Sequence, residues 1–185
     1  MRRKTTKELL AESFRELAAA KPIDKITVKD ITENCGYSVA TFYRQFRDKY
    51  DLIAWDYTRR IEKIMAQVGE REASWQQTLI DGAAYFAEQK EYLANLFLHT
   101  GGMDSFIGYM REINFDSLKS AVLRMAGLSA LDERTEMLIR TYVMGTVQLT
   151  CEWILGKYRA TPDELAEIYE NTLPQPLWEL VMKEK

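Results

Sequence analysis

The sequence predicts an all-α fold, with an N-terminal three-helix domain built around a helix-turn-helix and a larger C-terminal helical domain. Glycine and proline are scarce in the 185 residues, at 9 and 4, which favours long uninterrupted helices. Apolar residues recur every three or four positions, as on one face of a helix, and helix-capping residues precede several of these runs. We place the domain boundary after residue 50, so that the predicted domains cover 1–50 and 51–185.

The first predicted helix runs from about residue 6 to residue 20. Thr5 and Glu8 have the spacing of a capping box, in which each side chain binds the backbone N–H of the other residue. The helix should end before Pro22, because the residue preceding a proline avoids the helical conformation. We expect residues 23–26 to form a connector with an apolar anchor at each end.

Two short helices joined by a turn come next. Thr27 caps the first of them, and Gly36 suits the left-handed turn at its C-terminus. Ser38 caps the second, which we expect to continue to about Phe46. Small and polar side chains at the N-terminal end of this helix, backed by Phe42 and Phe46, are what a helix needs to enter the major groove of DNA.

The remaining chain is predicted to be helical as well. Asp48 caps a fourth helix that ends near Val68, and a polar joint follows over residues 69–74. Thr161 and Glu164 form a second capping box at the start of the last helix, which Pro174 and Pro176 should interrupt or end early. The helices expected after the fourth, including this last one, cover about 75–88, 91–99, 105–125, 131–157 and 162–182. Breaks are expected at Gly101–Gly102 and at Gly127–Ser129.

The charge distribution favours a nucleic-acid partner for the N-terminal part, although the net charge is −3. Residues 1–60 contain 13 Lys and Arg against 9 Asp and Glu, whereas residues 61–185 contain 12 against 19. A basic N-terminal part followed by an acidic C-terminal part is typical of a protein that contacts phosphates with its N-terminal part alone.

Several function classes are disfavoured by residue content. His99 is the single histidine, and Cys35 and Cys151 are far apart, so we expect no metal site, no disulfide and no cofactor. We find no nucleophile–base set and no glycine-rich phosphate loop, so we expect no enzyme activity. No signal peptide and no stretch of roughly 18 apolar residues is seen, so we expect a cytoplasmic protein with no membrane association.

Residues 6–55 closely resemble the TetR family of transcriptional regulators. The matching stretches are Ile26–Ile31, Gly36–Ser38 and Thr41–Leu52, and both spacing and residue type agree along them. The resemblance implies a homodimer that binds a double-stranded DNA operator, usually as a repressor. In such a protein the C-terminal helical domain binds an effector and forms the dimer, and effector binding pivots the fourth helix so that the two recognition helices no longer fit their half-sites.

The resemblance also implies DNA-contacting residues. Thr27 and Lys49 would meet phosphate, and Thr41 and Tyr43 would contact the DNA backbone. The predicted DNA-binding set is Thr27, Ser38, Val39, Ala40, Thr41, Tyr43, Arg44 and Lys49.

Val39 and Ala40 depart from the family pattern. At the position of Val39 the family often has a basic residue, and at the position of Ala40 it often has glycine. These two side chains could contact thymine methyl groups, leaving Arg44 or Gln45 to carry more of the base recognition. Tyr37 fits a packing role and a DNA contact equally well.

For the C-terminal helical domain, the resemblance implies that the last two predicted helices pair with those of a second copy in a four-helix bundle. Their apolar positions exceed what one buried face requires: Leu138, Tyr142, Val143, Val147, Trp153, Ile168, Leu173, Leu177 and Trp178. An effector pocket would be lined by aromatic and methionine side chains, which suit an ordinary core equally well. The predicted pocket residues are Trp75, Phe86, Phe97, Phe106, Met110, Met144 and Gln148, with Tyr85, Tyr92 and Trp153 as further candidates.

A narrower similarity keeps a second kind of control open. Glu91–Tyr92, Phe106–Tyr109 and Tyr142–Trp153 are similar to the subgroup that includes the activator of dihydroxyacetone kinase operons. In that activator an enzyme-like protein partner, and not a free small molecule, carries the signal. The alternative is therefore a regulator or activator controlled by a protein co-regulator, without a small-molecule pocket.

Overall fold

The computed structural model describes residues 3–67, 74–100 and 106–181, and all the regular structure in these ranges is helical. The predicted all-α fold is therefore confirmed. Most of the predicted joint over residues 69–74, the predicted break at Gly101–Gly102 and the predicted end of the last helix near Met182 lie outside the described residues. The helices are α1 (Thr6–Ala18), α2 (Val28–Asn34), α3 (Val39–Tyr43), α4 (Lys49–Met65), α5 (Trp75–Glu88), α6 (Lys90–His99), α7 (Phe106–Ala126), α8 (Glu133–Ile154), α9 (Pro162–Asn171) and α10 (Gln175–Val181).

Local capping determines where several helices begin. The Glu8 N–H donates to Thr5 Oγ1 at 3.3 Å, and the Thr5 N–H donates to Glu8 Oε2 at 2.7 Å. The same reciprocal pair forms between Thr161 and Glu164 at the start of α9. Caps of this kind stabilise a helix by about 1 kcal/mol each, so these starts are fixed by residues three positions apart.

Helix ends differ more from the prediction. α3 ends at Tyr43, three residues before Phe46, because the Gln45 N–H donates to Phe42 O in a tighter final turn. α8 begins at Glu133 after an Asp132 cap, and it ends at Ile154. Gly156 follows with φ of 82°, a left-handed conformation that ends the helix. The predicted last helix is divided at Pro174 into α9 and α10, as the two prolines indicated.

The head, formed by α1, α2, α3 and the first turns of α4, packs around side chains that are inaccessible to solvent. α4 continues from the head into the body, which is formed by the rest of α4 and by α5 to α10. There α4 packs against α5 and α7. In the body, α5 packs on α9 and α7 packs on α8. No helix in the described ranges is long and apolar enough to span a membrane. The buried side chains of the head include Leu10, Phe14, Ile31, Phe42 and Leu52.

A buried ion-pair cluster joins α1 to the middle of α4. Asp56 is only 2% exposed, and its carboxylate pairs with Arg15 of α1. Arg59 and Arg60 of α4 lie 3.6 Å from the same carboxylate. Removing one member of a buried ion pair is costly, because the other charge is left desolvated and unpaired. The cluster therefore fixes the position of α4 along α1.

Candidate nucleic-acid interface

The outer face of α3 is open to solvent, and its inner face is held by aromatic packing. Phe42 is inaccessible, and its ring lies 5.8 Å from that of Phe46, which is also buried. Where the helix faces solvent, Tyr43 is 58% exposed and Val39 is 40% exposed. Ala40 is exposed as well. The short helix thus presents small, apolar and hydroxyl groups on a rigid base.

The N-terminal turn of α3 is organised by its own side chains. Ser38 Oγ accepts the Thr41 N–H at 3.1 Å and lies 2.9 Å from Thr41 Oγ1. Arg44 Nη2 donates to Thr41 Oγ1 at 3.0 Å. Because an arginine has five N–H donors, most of those on the exposed Arg44 remain available to a ligand such as a base or a phosphate. Thr41 therefore positions Arg44 on the outer face.

Thr27 stands at the start of α2, where it is engaged in capping. Its hydroxyl donates to Asp30 Oδ2 at 2.8 Å and accepts the Asp30 N–H at 3.1 Å. The Thr27 N–H donates to the same carboxylate oxygen. These hydrogen bonds from Thr27, followed by one from Lys21, lower the pKa of Asp30 to about 2. Thr27 is exposed, but contact with a phosphate would compete with this cap.

Lys49 has a structural role that its sequence position did not suggest. Its Nζ donates to Ile23 O at 2.8 Å, to Ile26 O at 2.8 Å and to Asp24 O at 3.2 Å. An ammonium group has three donors, so all three are used on the connector between α1 and α2. Burial lowers the pKa of Lys49. Lys49, which the sequence predicted to bind phosphate, thus ties the start of α4 to the connector.

The connector is also held from the body, by a residue that the sequence analysis missed. Asn95 of α6 donates to Ala18 O at 2.8 Å and to Lys21 O at 3.0 Å, and its Oδ1 accepts the Ile23 N–H at 3.1 Å. One turn further along α6, His99 Nδ1 lies 3.5 Å from Asp24 Oδ1. No local sequence signal marks Asn95, because its partners are backbone groups more than seventy residues away.

The body contains a small cavity between α4, α5, α7, α8 and α9. Its volume is about 90 Å³, and every described side chain that lines it is uncharged. Trp75 is 3% exposed, and its Nε1 has no hydrogen-bond partner among the described residues. The lining residues are Ile61, Ile64, Met65, Trp75, Thr78, Leu79, Gly82, Ala83, Phe86, Asn114, Leu118, Tyr142, Val143, Thr146, Val147, Thr150 and Tyr169.

The structure does not bring the seven predicted pocket residues together. Trp75 and Phe86 line the cavity, whereas Phe97 and Phe106 pack on each other with ring centres 6.2 Å apart. Met110 is buried away from the cavity lining. Met144 is 50% exposed and Gln148 is exposed too, because they lie on the outer face of α8. The inner face of α8 instead presents Tyr142, Val143, Thr146, Val147 and Thr150 to the cavity.

Comparison with known proteins agrees with this geometry. Residues 9–54 match the family model described as bacterial regulatory proteins, tetR family. Residues 73–175 match the model described as transcriptional regulator C-terminal region. No curated protein matches the chain significantly by sequence.

Three solved structures share the fold over nearly the whole chain. A TetR transcriptional regulator from Streptococcus agalactiae 2603V has 17% identity and a TM-score of 0.64, with 92% of this chain and 94% of that chain covered. The dihydroxyacetone kinase operon activator DhaS has 17% identity and a TM-score of 0.62, with 95% and 96% covered. The transcriptional regulator FadR from Bacillus subtilis, in complex with stearoyl-CoA, has 16% identity and a TM-score of 0.52, with 96% and 98% covered.

Proposed function

The chain belongs to the TetR family of DNA-binding transcriptional regulators, and on that premise we propose that it is a cytoplasmic homodimer that binds its operator as a repressor until a small molecule binds in the body. In this proposal residues 1–50 contact DNA, and residues 51–185 bind the effector and form the dimer. The observation that carries the proposal is the exposed outer face of α3, which is backed by the buried Phe42 and Phe46. A helix held in this way can enter the major groove without rearrangement.

We propose that Tyr43, Val39, Ala40 and Arg44 make the direct DNA contacts. Ser38, Thr41 and Thr27 hold these elements in place and offer further backbone contacts. Tyr43→Ala tests the assignment, because the side chain is 58% exposed and its loss should leave the fold intact. A hydrogen bond to a charged phosphate contributes about 1.5–3 kcal/mol, so operator affinity should fall roughly tenfold or more.

The operator for this test is first obtained by selecting bound sequences from random double-stranded DNA. Tyr158→Ala is the matched control, since Tyr158 is an exposed tyrosine in the turn after α8. Fluorescence anisotropy with labelled operator measures both variants. Unchanged affinity in Tyr43→Ala would remove α3 from the proposed interface.

Dimerisation is supported by apolar side chains that remain exposed on the last helices. Met137 and Met144 lie seven residues apart on the same face of α8, and both are at least half exposed. Ile168 of α9 and Trp178 of α10 are also exposed. Two copies joined through these helices would present two α3 helices to successive half-sites. Sedimentation of Met144→Glu tests the surface, and a dimer of unchanged stability would contradict it.

Control by a small molecule is supported by the cavity and by the course of α4. Ile61, Ile64 and Met65 line the cavity near one end of this helix, and Lys49 holds the head connector at the other. A ligand that binds one position of α4 better than another shifts the orientation of the head. A compound that raises the melting temperature and releases the operator would support this control. No feature of the described residues specifically favours the protein co-regulator.

A further inference from the structure

We propose that the body cavity takes a small neutral ligand with an oxygen acceptor, and that the Trp75 indole N–H is the group that selects it. This inference rests on the effector site proposed above and adds the chemical class of the ligand. Three properties of the cavity lead to it: the neutral side chains of its described lining residues, one unpaired donor among them, and the small volume.

The lining excludes a charged ligand. The seventeen described residues that line the cavity are neutral types, and burial raises the pKa of Tyr142 and of Tyr169, so both phenols stay protonated. Moving an ionised carboxylate or amine from water into such surroundings, without an opposite charge, is strongly unfavourable. A ligand that enters this cavity is therefore neutral when bound.

Most donors along the lining are already paired within the protein. Tyr142 Oη donates to Tyr169 O at 2.8 Å, and Thr146 Oγ1 donates to Tyr142 O at 3.0 Å. Asn114 Nδ2 donates to Tyr57 Oη at 2.7 Å and to Met110 O at 2.8 Å. These groups hold the walls of the cavity and have no need of a ligand.

Trp75 is the exception among the described lining residues. Its Nε1 is buried and has no partner, although the great majority of buried polar groups in proteins are paired. An indole N–H can only donate, so the partner that satisfies it must be an acceptor. A hydroxyl or carbonyl oxygen on the ligand meets this requirement, whereas a pure hydrocarbon leaves the donor unpaired.

The volume limits the ligand to about one ring. At about 90 Å³ the cavity is smaller than the roughly 150 Å³ of a cavity that holds benzene, so a ligand of one ring requires the lining side chains to shift and a larger ligand is excluded. Gly82 lies on the lining, and a Cβ built there meets no atom within 4 Å. A larger side chain at this position would occupy the space that the ligand needs.

The test compares three probes that share one ring: benzyl alcohol, toluene and benzoate. Isothermal titration and the melting temperature report binding to the full-length protein. Benzyl alcohol should bind about three- to tenfold more tightly than toluene, the contribution of one neutral hydrogen bond. Benzoate should give no shift. Equal affinity for benzyl alcohol and toluene, or preferential binding of benzoate, would overturn the inference without any variant being made.

Variants then locate the donor. Trp75→Phe keeps an aromatic ring and removes the N–H, so the preference for benzyl alcohol over toluene should disappear. Trp55→Phe is the matched control, because Trp55 packs against Phe46 in the head and does not line the cavity, so this variant should retain the preference. Gly82→Leu should weaken binding of both neutral probes at least tenfold. A preference that persists in Trp75→Phe would show that another group selects the ligand.

Operator binding measured in the same samples separates this inference from the proposed function. If benzyl alcohol binds with the Trp75-dependent preference and the operator is not released, the ligand class stands and the proposed control of DNA binding fails. If the operator binds normally and neither neutral probe binds, the ligand class fails and DNA binding stands.

Discussion

Replacing Lys49 with alanine separates two roles for one side chain. As a phosphate ligand, Lys49 would affect operator affinity and leave the stability of the free protein unchanged. As the group that ties α4 to the connector, it should affect stability in the absence of DNA. Its three hydrogen bonds to Ile23 O, Asp24 O and Ile26 O therefore lead to a measurable difference.

The size of the effect follows from the surroundings of the three carbonyl groups. The bonds to Ile23 O and Ile26 O are partly buried, whereas the bond to Asp24 O is exposed and water can replace it. Two partly buried bonds from a charged donor are worth about 3–6 kcal/mol. Ordering the Lys49 side chain costs up to about 2 kcal/mol of conformational entropy, which offsets part of this stabilisation. We expect Lys49→Ala to lower the free energy of unfolding by about 1–4 kcal/mol.

The assay is thermal unfolding of the free protein. For a domain of this size, 1 kcal/mol corresponds to roughly 2–4 °C, so the melting temperature should fall by about 2–16 °C. Lys25→Ala is the control, since Lys25 is exposed on the connector and forms only a surface ion pair with Asp24. If the melting temperature of Lys49→Ala stays within about 1 °C of wild type while the salt slope of operator binding falls by about 1, Lys49 is a phosphate ligand and the reasoning is refuted.

Three further substitutions test other contacts. Asn95→Leu leaves the Ile23 N–H without its acceptor, so exchange of that amide with solvent should accelerate more than tenfold; unchanged protection would contradict the contact. The pKa of Asp30 is lowered from 3.8 to about 2, so its stabilising effect is complete above pH 3.8 and is lost as the pH falls through about 2. Asp30→Asn should flatten the dependence of melting temperature on pH in that window, and an unchanged slope would exclude Asp30 as its source. Gly82→Ala should raise stability by up to about 1 kcal/mol, because alanine favours a helix more than glycine and the new Cβ meets no atom within 4 Å. A lower melting temperature would show that the space at Gly82 is already filled.

Features that depend on neighbouring residues were predictable from the sequence. The capping boxes at Thr5 and Thr161 join residues three apart, so their spacing alone indicated where α1 and α9 begin. The turn at Gly36 followed from the left-handed backbone conformation, with φ of 72°, that glycine adopts readily. The helix-turn-helix and the all-α fold were confirmed for this reason. The domain boundary at residue 50 stays a prediction; that residue lies in the first turn of α4.

Features that depend on long-range packing were not predictable. Residue type suggested Met144 and Gln148 for a pocket, but the orientation of α8 about its axis places them outside. That orientation is set by the helices packed against α8, which periodicity alone cannot identify when both faces contain apolar residues. The partners of Lys49 and Asn95 are backbone carbonyls, whose positions depend on the completed fold.

The ion pair between Arg15 and Asp56 has a consequence for how the protein folds. A fragment ending at residue 50 would contain Arg15 but neither its carboxylate partner nor Asn95, which holds the connector. We therefore expect that the DNA-contacting segment is not an autonomous folding unit and gains its stability only when α4 and α6 are in place. Unfolding of head and body should then be one cooperative transition, and a ligand that stabilises the body should protect amides in the head from exchange to a similar degree.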